Sequence, residues 1–241
     1  MPTIAVLAGQ LIAGPARPVL CLDTCDILEV IQCLDWERPG APRGVTCIEP
    51  ARRLLNTLAV DPGRAMVVIT DLVHTEWNQN IAGVRKKADE FLAKIDAIVG
   101  YPYRAAGFAG TVLPVYDPLS SKTLVDDLVA LSTALLNEAT RLGLDAAQTV
   151  LALDRVMTKR RPSHDGHIKD SINFEHYLAF ARRLRAAGFV EDVLFVSKNR
   201  KDYWDGDKDR IHPELKPEIE DAGVQLQFFG SLVSALPQVG I

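Results

Sequence analysis

The stretch Val19-Leu20-Cys21-Leu22-Asp23-Thr24-Cys25-Asp26-Ile27-Leu28 runs four apolar residues into an aspartate and then resumes an apolar pattern. A short apolar run bounded by turn formers or charges predicts a strand buried on both faces. The aspartate is the anomaly. An ionised carboxylate inside a packed core is costly unless something pairs with it, so position 23 needs a partner or a purpose.

Outward from this stretch, comparable runs at residues 18–22, 66–69, 193–196 and 224–229 predict four buried strands. Helical patterns over 48–60, 74–99, 122–142, 146–157, 168–187 and 213–222 lie between and around them. Strands alternating with helices predict an α/β fold, a three-layer sandwich with a central parallel sheet and helices on both faces. Gly143, Gly188 and Gly223 punctuate helix ends, as glycine does after a last helical turn. The Pro- and Gly-rich segments 39–44 and 100–118 read as loops. The second separates two long helical regions. The expectation is a single domain over 1–241, with 77–169 as a helical elaboration grafted onto a smaller α/β core.

With 241 residues, 48% of them hydrophobic, the chain can bury a substantial core. A net charge of -4 excludes a uniformly basic surface that coats nucleic acid or acidic membrane, and leaves room for a local basic groove. Cys21, Cys25, Cys33 and Cys47 show no CxxC spacing and no downstream His pair, which predicts buried reduced thiols rather than zinc ligands. The apolar run 4–14 has no Lys or Arg before it and is too short to span a bilayer. A cytoplasmic location with no membrane partner is expected.

Ligands of an open parallel sheet gather beyond the carboxyl ends of its strands. Asp23 falls at such an end, and Glu76 lies at the opening of the long helix beyond MVVIT. Asp170 sits in the first turn of the helix near residue 168, and Asp202 follows the strand VLFVS. Four carboxylates that close repel one another until at least one takes up a proton. A divalent metal removes that objection, and oxygen-only ligation suits Mg²⁺ or Mn²⁺, which can activate water for phosphodiester hydrolysis.

The order LDTC with Asp23, VVITDLVHTEW with Glu76, IKDSINFEHYL with Asp170 and LFVSKNRKDYW with Asp202 resembles the PIN domain, a metal-dependent ribonuclease fold. The last two motifs, followed by HPELKPEIEDAGVQLQFF, are similar to the larger PIN-like subgroup. The likeness covers residues 18–76 and 168–229. It implies Mg²⁺ or Mn²⁺ held by Asp23, Glu76, Asp170 and Asp202, and RNA cut by in-line attack of water. It also implies that Thr24, Ser197 and Asn199 orient the acids by hydrogen bonds, with Glu175 as an accessory group. Five residues after Asp170, however, Glu175 is rotated by about 140° on an ideal helix. Around the proposed crevice, Lys159, Arg160, Arg161, Lys198, Arg200 and Lys201 would steer phosphate. A nuclease of this kind resembles either the toxin of a toxin–antitoxin pair or an RNA-processing factor. An antitoxin, another protein or a second copy of the chain would dock on an apolar face of the inserted helices.

Each element has a plainer reading. Asp23 would cap a helix beginning at Asp26, and Asp170 would be a first-turn acid favoured by the helix dipole. Asp205, Asp207 and Asp209 imitate the start of a calcium loop, but Arg210 replaces its glycine and Lys216 its closing glutamate. His164 and His167 read as surface or substrate-side groups, and Arg182, Arg183 and Arg185 as a solvated face. Tyr203 and Trp204 would stack on bases or pack at a strand end. A catalytically silent RNA- or protein-binding module remains an alternative. So does a phosphomonoesterase, although Cys25 stands where its second aspartate belongs and only Asp26 is near.

Overall fold

The computed structural model describes residues 1–34, 47–163, 165–206, 210–220 and 226–241. Five parallel strands, β1 (Val19–Leu22), β2 (Met66–Thr70), β3 (Thr140–Leu142), β4 (Val193–Val196) and β5 (Leu226–Phe229), form one sheet in the order β3-β2-β1-β4-β5. Val19 pairs with both Met66 and Val193, so β1 is the central strand. The chain therefore builds outward from β1 to one side and then returns to build the other. That reversal opens a crevice beyond the carboxyl ends of β1 and β4.

Alternation along the strands supplies both faces with apolar side chains. Leu20, Leu22, Leu194 and Val196 join one buried cluster, and Val19, Cys21, Val193 and Phe195 the other. The described helices are α1 (Ile4–Ala13), α2 (Thr24–Gln32), α3 (Ile48–Val60), α4 (Asp71–Phe108), α5 (Leu124–Glu138), α6 (Ala146–Met157), α7 (Ile168–Ala186), α8 (Arg200–Tyr203), α9 (Lys216–Glu220) and α10 (Leu232–Ala235). Helices α2 to α5 and α10 cover the first face, and α1, α7, α8 and α9 the second. Burying each Leu, Val or Phe in these layers is worth about 1.5–3 kcal/mol. Two polar links fix the layers laterally. Trp77 Nε1 donates to Ser132 Oγ (2.9 Å), whose hydroxyl donates to the Ile27 carbonyl (2.9 Å), joining α4, α5 and α2. On the other face Tyr177 Oη donates to the Leu22 carbonyl (2.7 Å) and accepts from the Thr70 N–H (3.2 Å), pinning the ends of β1 and β2.

Several expectations need correction. The helix expected over 122–142 is α5, which stops at Glu138, and residues 140–142 form β3 at the sheet edge. That strand has only three residues, one of them buried, so its apolar pattern reads as the tail of the helix before it. Residues 77–169 thus supply a strand of the central sheet besides helices. Helix α4 starts three residues early because Thr70 caps it, its side chain accepting from the Val73 N–H. It then continues through Gly100 and Pro102 to Phe108, where a loop was expected. The first apolar run is helix α1, with Ile4, Leu7, Ala8 and Leu11 buried at helical spacing against α7. No described helix is long and apolar enough to cross a membrane. The expected loop 39–44, His164, Asp207, Asp209, Gly223, the end of the 213–222 helix and the first two residues of the 224–229 strand lie outside the described residues.

Candidate functional site

Beyond the ends of β1 and β4 lies a cleft of about 520 Å³ whose walls include Asp23, Glu76 and Asp170 together with Lys198 and Arg200. Asp23 is 5% exposed and does two things at once. As the cap of α2, which begins at Thr24 rather than Asp26, its Oδ1 accepts from the Thr24 N–H at 2.7 Å. Its Oδ2 accepts from the Ser197 hydroxyl at 2.7 Å, and Asn173 Nδ2 approaches Oδ1 at 3.4 Å. Asp23 thus caps α2 and also lines the cleft.

Glu76 reaches the cleft from the second turn of α4. Its Oε2 accepts from the Thr24 hydroxyl at 2.8 Å, and its Oε1 lies 2.9 Å from Lys169 Nζ. Asp170, in the first turn of α7, accepts from Asn199 Nδ2 at 2.9 Å. The same amide nitrogen donates to Asp202 Oδ2 at 3.0 Å. Asp202 is 4% exposed and meets Asp170 through Asn199; it is not part of the cleft wall. Asn199 itself is positioned by β4 and caps α8, its side chain accepting from the Asp202 N–H. Tyr203 Oη donates to the Asp170 carbonyl at 2.9 Å, which ties α8 to the start of α7.

Three of the carboxyls here, those of Asp23, Asp26 and Asp170, are unwilling anions. Burial above all pushes Asp23 up, with Glu76 adding to it, against the pull of the Ser197 and Thr24 bonds. Burial and then Asp23 lift Asp170 to about 8, with Asp202 and Glu76 adding while the Asn199 bond opposes. Asp26, which sequence reasoning did not place in the site, is likewise lifted to about 8 by burial and then by Asp23. Between these two carboxylates the Cys25 thiol, held up by burial and by both neighbours, stays protonated.

The donor set is all oxygen and mutually repelling, which in kind suits a hard divalent cation. As the side chains stand, no group of three or more His, Cys, Asp or Glu among the described residues is arranged to hold a metal ion. Glu76 is engaged by Lys169 and Thr24, and Asp170 and Asp202 share Asn199.

Other expected site residues lie elsewhere. Glu175 is buried against Arg155, which also pairs with Glu218 and stacks its guanidinium 4.6 Å from the Phe174 ring. The helical rotation between Asp170 and Glu175 carries the latter away from the cleft, so its accessory role is corrected. Of the basic residues, Lys198 and Arg200 line the cleft, with Lys198 Nζ 3.3 Å from Glu29 Oε1. Arg160 pairs with Asp154, Arg161 donates to the Lys201 carbonyl, and Lys201 pairs with Asp165, while Lys159 is exposed at the end of α6. None of these four is on the cleft wall. Tyr203 and Trp204 are buried, Tyr203 edge-on to Phe195 at 5.0 Å and Trp204 Nε1 donating to the Ser197 carbonyl, so neither is free to stack on a base.

Sequence reasoning missed Asn173, Thr70 and Lys169. Thr70 Oγ1 donates to Asn173 Oδ1 at 2.6 Å, which turns the Asn173 amide nitrogen toward Asp23. Asn173 lies three residues after Asp170 and so on the same helix face, a spacing that carries the signal. No family model matches the chain, and neither a curated protein nor a solved structure does.

Proposed function

We propose that this chain is a metal-dependent endoribonuclease of PIN-like fold, serving as the toxin of a toxin–antitoxin pair or as an RNA-processing factor. One observation carries the reading: acids from separate elements meet at the sheet's switch point, where burial first and Asp23 second lift Asp170 to about 8. Strongly shifted acids cluster in the clefts of functional sites.

Asp23, Glu76 and Asp170 would hold Mg²⁺ or Mn²⁺, with Asp202 supporting Asp170 through Asn199. When bound, such an ion supplies a nucleophilic water at neutral pH and charge stabilisation at the phosphorus. The chain's own residues do the rest. Ser197 and the Thr24 N–H fix the Asp23 carboxylate, and Thr24 Oγ1 fixes Glu76. Lys198 and Arg200 on the cleft wall set positive charge beside the acids, where an RNA phosphate would enter.

The test is cleavage of a generic RNA by the purified protein with Mn²⁺ or with EDTA, beside Asp23→Asn and Asp170→Asn. Cleavage that needs Mn²⁺ and vanishes in both folded variants supports the reading; activity indifferent to EDTA and to both substitutions refutes it. A second reading, a silent RNA- or protein-binding module, draws on the engagement of Glu76 by Lys169 and of Asp170 by Asn199. It requires that Mn²⁺ leave the melting temperature unchanged. The phosphomonoesterase alternative would need Asp26 as its acid, but that side chain is 4% exposed and is not on the cleft wall.

A further inference from the structure

Lys169 stands beside Asp170 in the motif IKDSINFEHYL without a role in the reading of that motif, and its ammonium lies 2.9 Å from Glu76 Oε1. The Glu76 side chain is 14% exposed and that of Lys169 52%. The acid is therefore nearly buried while the base reaches it from solvent on a flexible stem. A lysine ammonium is a compact point charge that can leave such a position without leaving a hole in the core. A second charged contact on the cleft wall, Lys198 with Glu29, involves none of the acids assigned to cation binding.

We infer that Lys169 is the internal counter-ion of the acid cluster: its ammonium occupies Glu76 in the cation-free protein, and a divalent cation binds there only by displacing it. The inference rests on reading the acids as a cation site, and deepens it by naming the residue that sets the affinity. A site whose competent state is only fractionally populated binds in proportion to that fraction, so the lysine weakens cation binding by the cost of its own displacement. It acts through Glu76 and is a positioning residue, not a catalytic one.

The experiment is a Mn²⁺ titration of the full chain, followed by calorimetry and by melting temperature, with no RNA present. Lys169→Met removes the charge and keeps the stem. It is expected to tighten Mn²⁺ binding by about three- to fivefold, the upper scale of a partly exposed ion pair. Lys169→Arg keeps the charge and stays within about twofold of the wild type on the same scale. Lys201 pairs with Asp165 instead, although it lies near Asp170 and Asp202; Lys201→Met is therefore the control for charge removal without contact, and is expected to change affinity less than about twofold. In a Glu76→Gln background Lys169→Met should have no further effect.

Binding by Lys169→Met equal to or weaker than the wild type overturns the inference, as does an equal gain from Lys201→Met. If wild type and every variant fail to bind Mn²⁺, the cation-site reading falls and this inference with it. Wild-type binding that Lys169→Met leaves untouched sinks only the inference.

Discussion

Asp170→Asn keeps an oxygen to accept from Asn199 Nδ2 and removes one charge from the cleft. In the folded chain burial, with Asp23 second, lifts Asp170 to about 8, whereas an aspartate in an unfolded chain titrates near ~3.9. Between those values the folded state holds a proton that the unfolded state has released. Stability is therefore fully present below about pH 4 and is lost as pH rises toward about pH 8. The slope for one proton is at most about 1.4 kcal/mol per pH unit, which over the whole window would amount to roughly 5 kcal/mol. Because the Asp170 side chain is partly open to the cleft, the expected loss is nearer ~2 kcal/mol. Asparagine has no such slope. In EDTA the variant should match the wild type near pH 4 and exceed it by about 2 kcal/mol at pH 8, a gain of roughly 4–8 °C in Tm for a chain of this size. Saturating Mn²⁺ reverses the order, since a cation at about one hundred times its Kd adds roughly 2.7 kcal/mol to the wild type and much less to the variant. Thermal and urea unfolding followed by circular dichroism at pH 4, 6 and 8 reads all of this. A variant that is destabilised equally at pH 4 and pH 8 in EDTA refutes the reasoning, for it would mean that favourable partners hold Asp170 ionised.

Three further outcomes are expected. Arg155→Met leaves Glu175 buried and unpaired, and should cost about 3–5 kcal/mol in urea unfolding while Mn²⁺ affinity stays at the wild-type value, because Arg155 and Glu175 lie outside the cleft. Ser197→Ala removes the hydroxyl that donates to Asp23 Oδ2, so Asp23 should be harder to ionise and Mn²⁺ binding by calorimetry should weaken by about fivefold or more. Ser132→Ala strands both the Trp77 indole N–H and the Ile27 carbonyl, at an expected cost of about 1–3 kcal/mol by urea unfolding, with no change at the cleft.

The α/β class was legible because parallel strands covered on both faces read as uninterrupted apolar runs, and VLCL, MVVI and VLFV are such runs. What stayed hidden depends on tertiary context. TRL in β3 is strand by virtue of pairing with β2, and Arg141 within it faces Asp71 at 3.8 Å across the edge. Gly100 and Pro102 carry a local preference against helix that α4 overrides. At the site, the position of Asp23, Glu76 and Asp170 at element ends follows from their place in the sequence, since strand ends converge on one crevice. Asn173 and Lys169 could not be assigned the same way, because their roles depend on which face of α7 meets the sheet and which meets α4. The run of basic residues from 159 to 161 misled for a related reason. A sequence shows where positive charges lie, but not that Asp154 and the Lys201 carbonyl take up Arg160 and Arg161.

The capping and cation readings of Asp23 are not rivals of equal economy. A helix cap needs only a side-chain oxygen, and asparagine or serine serves about as well as aspartate. At the head of α2 the Thr24 N–H would be satisfied by either, without the burial penalty and without the repulsion from Glu76 that push Asp23 upward. The same holds for Asp170, whose contact with Asn199 Nδ2 a neutral amide oxygen can accept. Two neutral replacements are thus locally adequate and, in the absence of a cation, expected to be stabilising. A chain that keeps ionisable oxygens at both positions, backs one with Ser197 and the other with Asn199, and sets them on one cleft with Glu76 is arranged for something these hydrogen bonds do not require. Divalent charge is the simplest partner that turns that mutual repulsion into attraction.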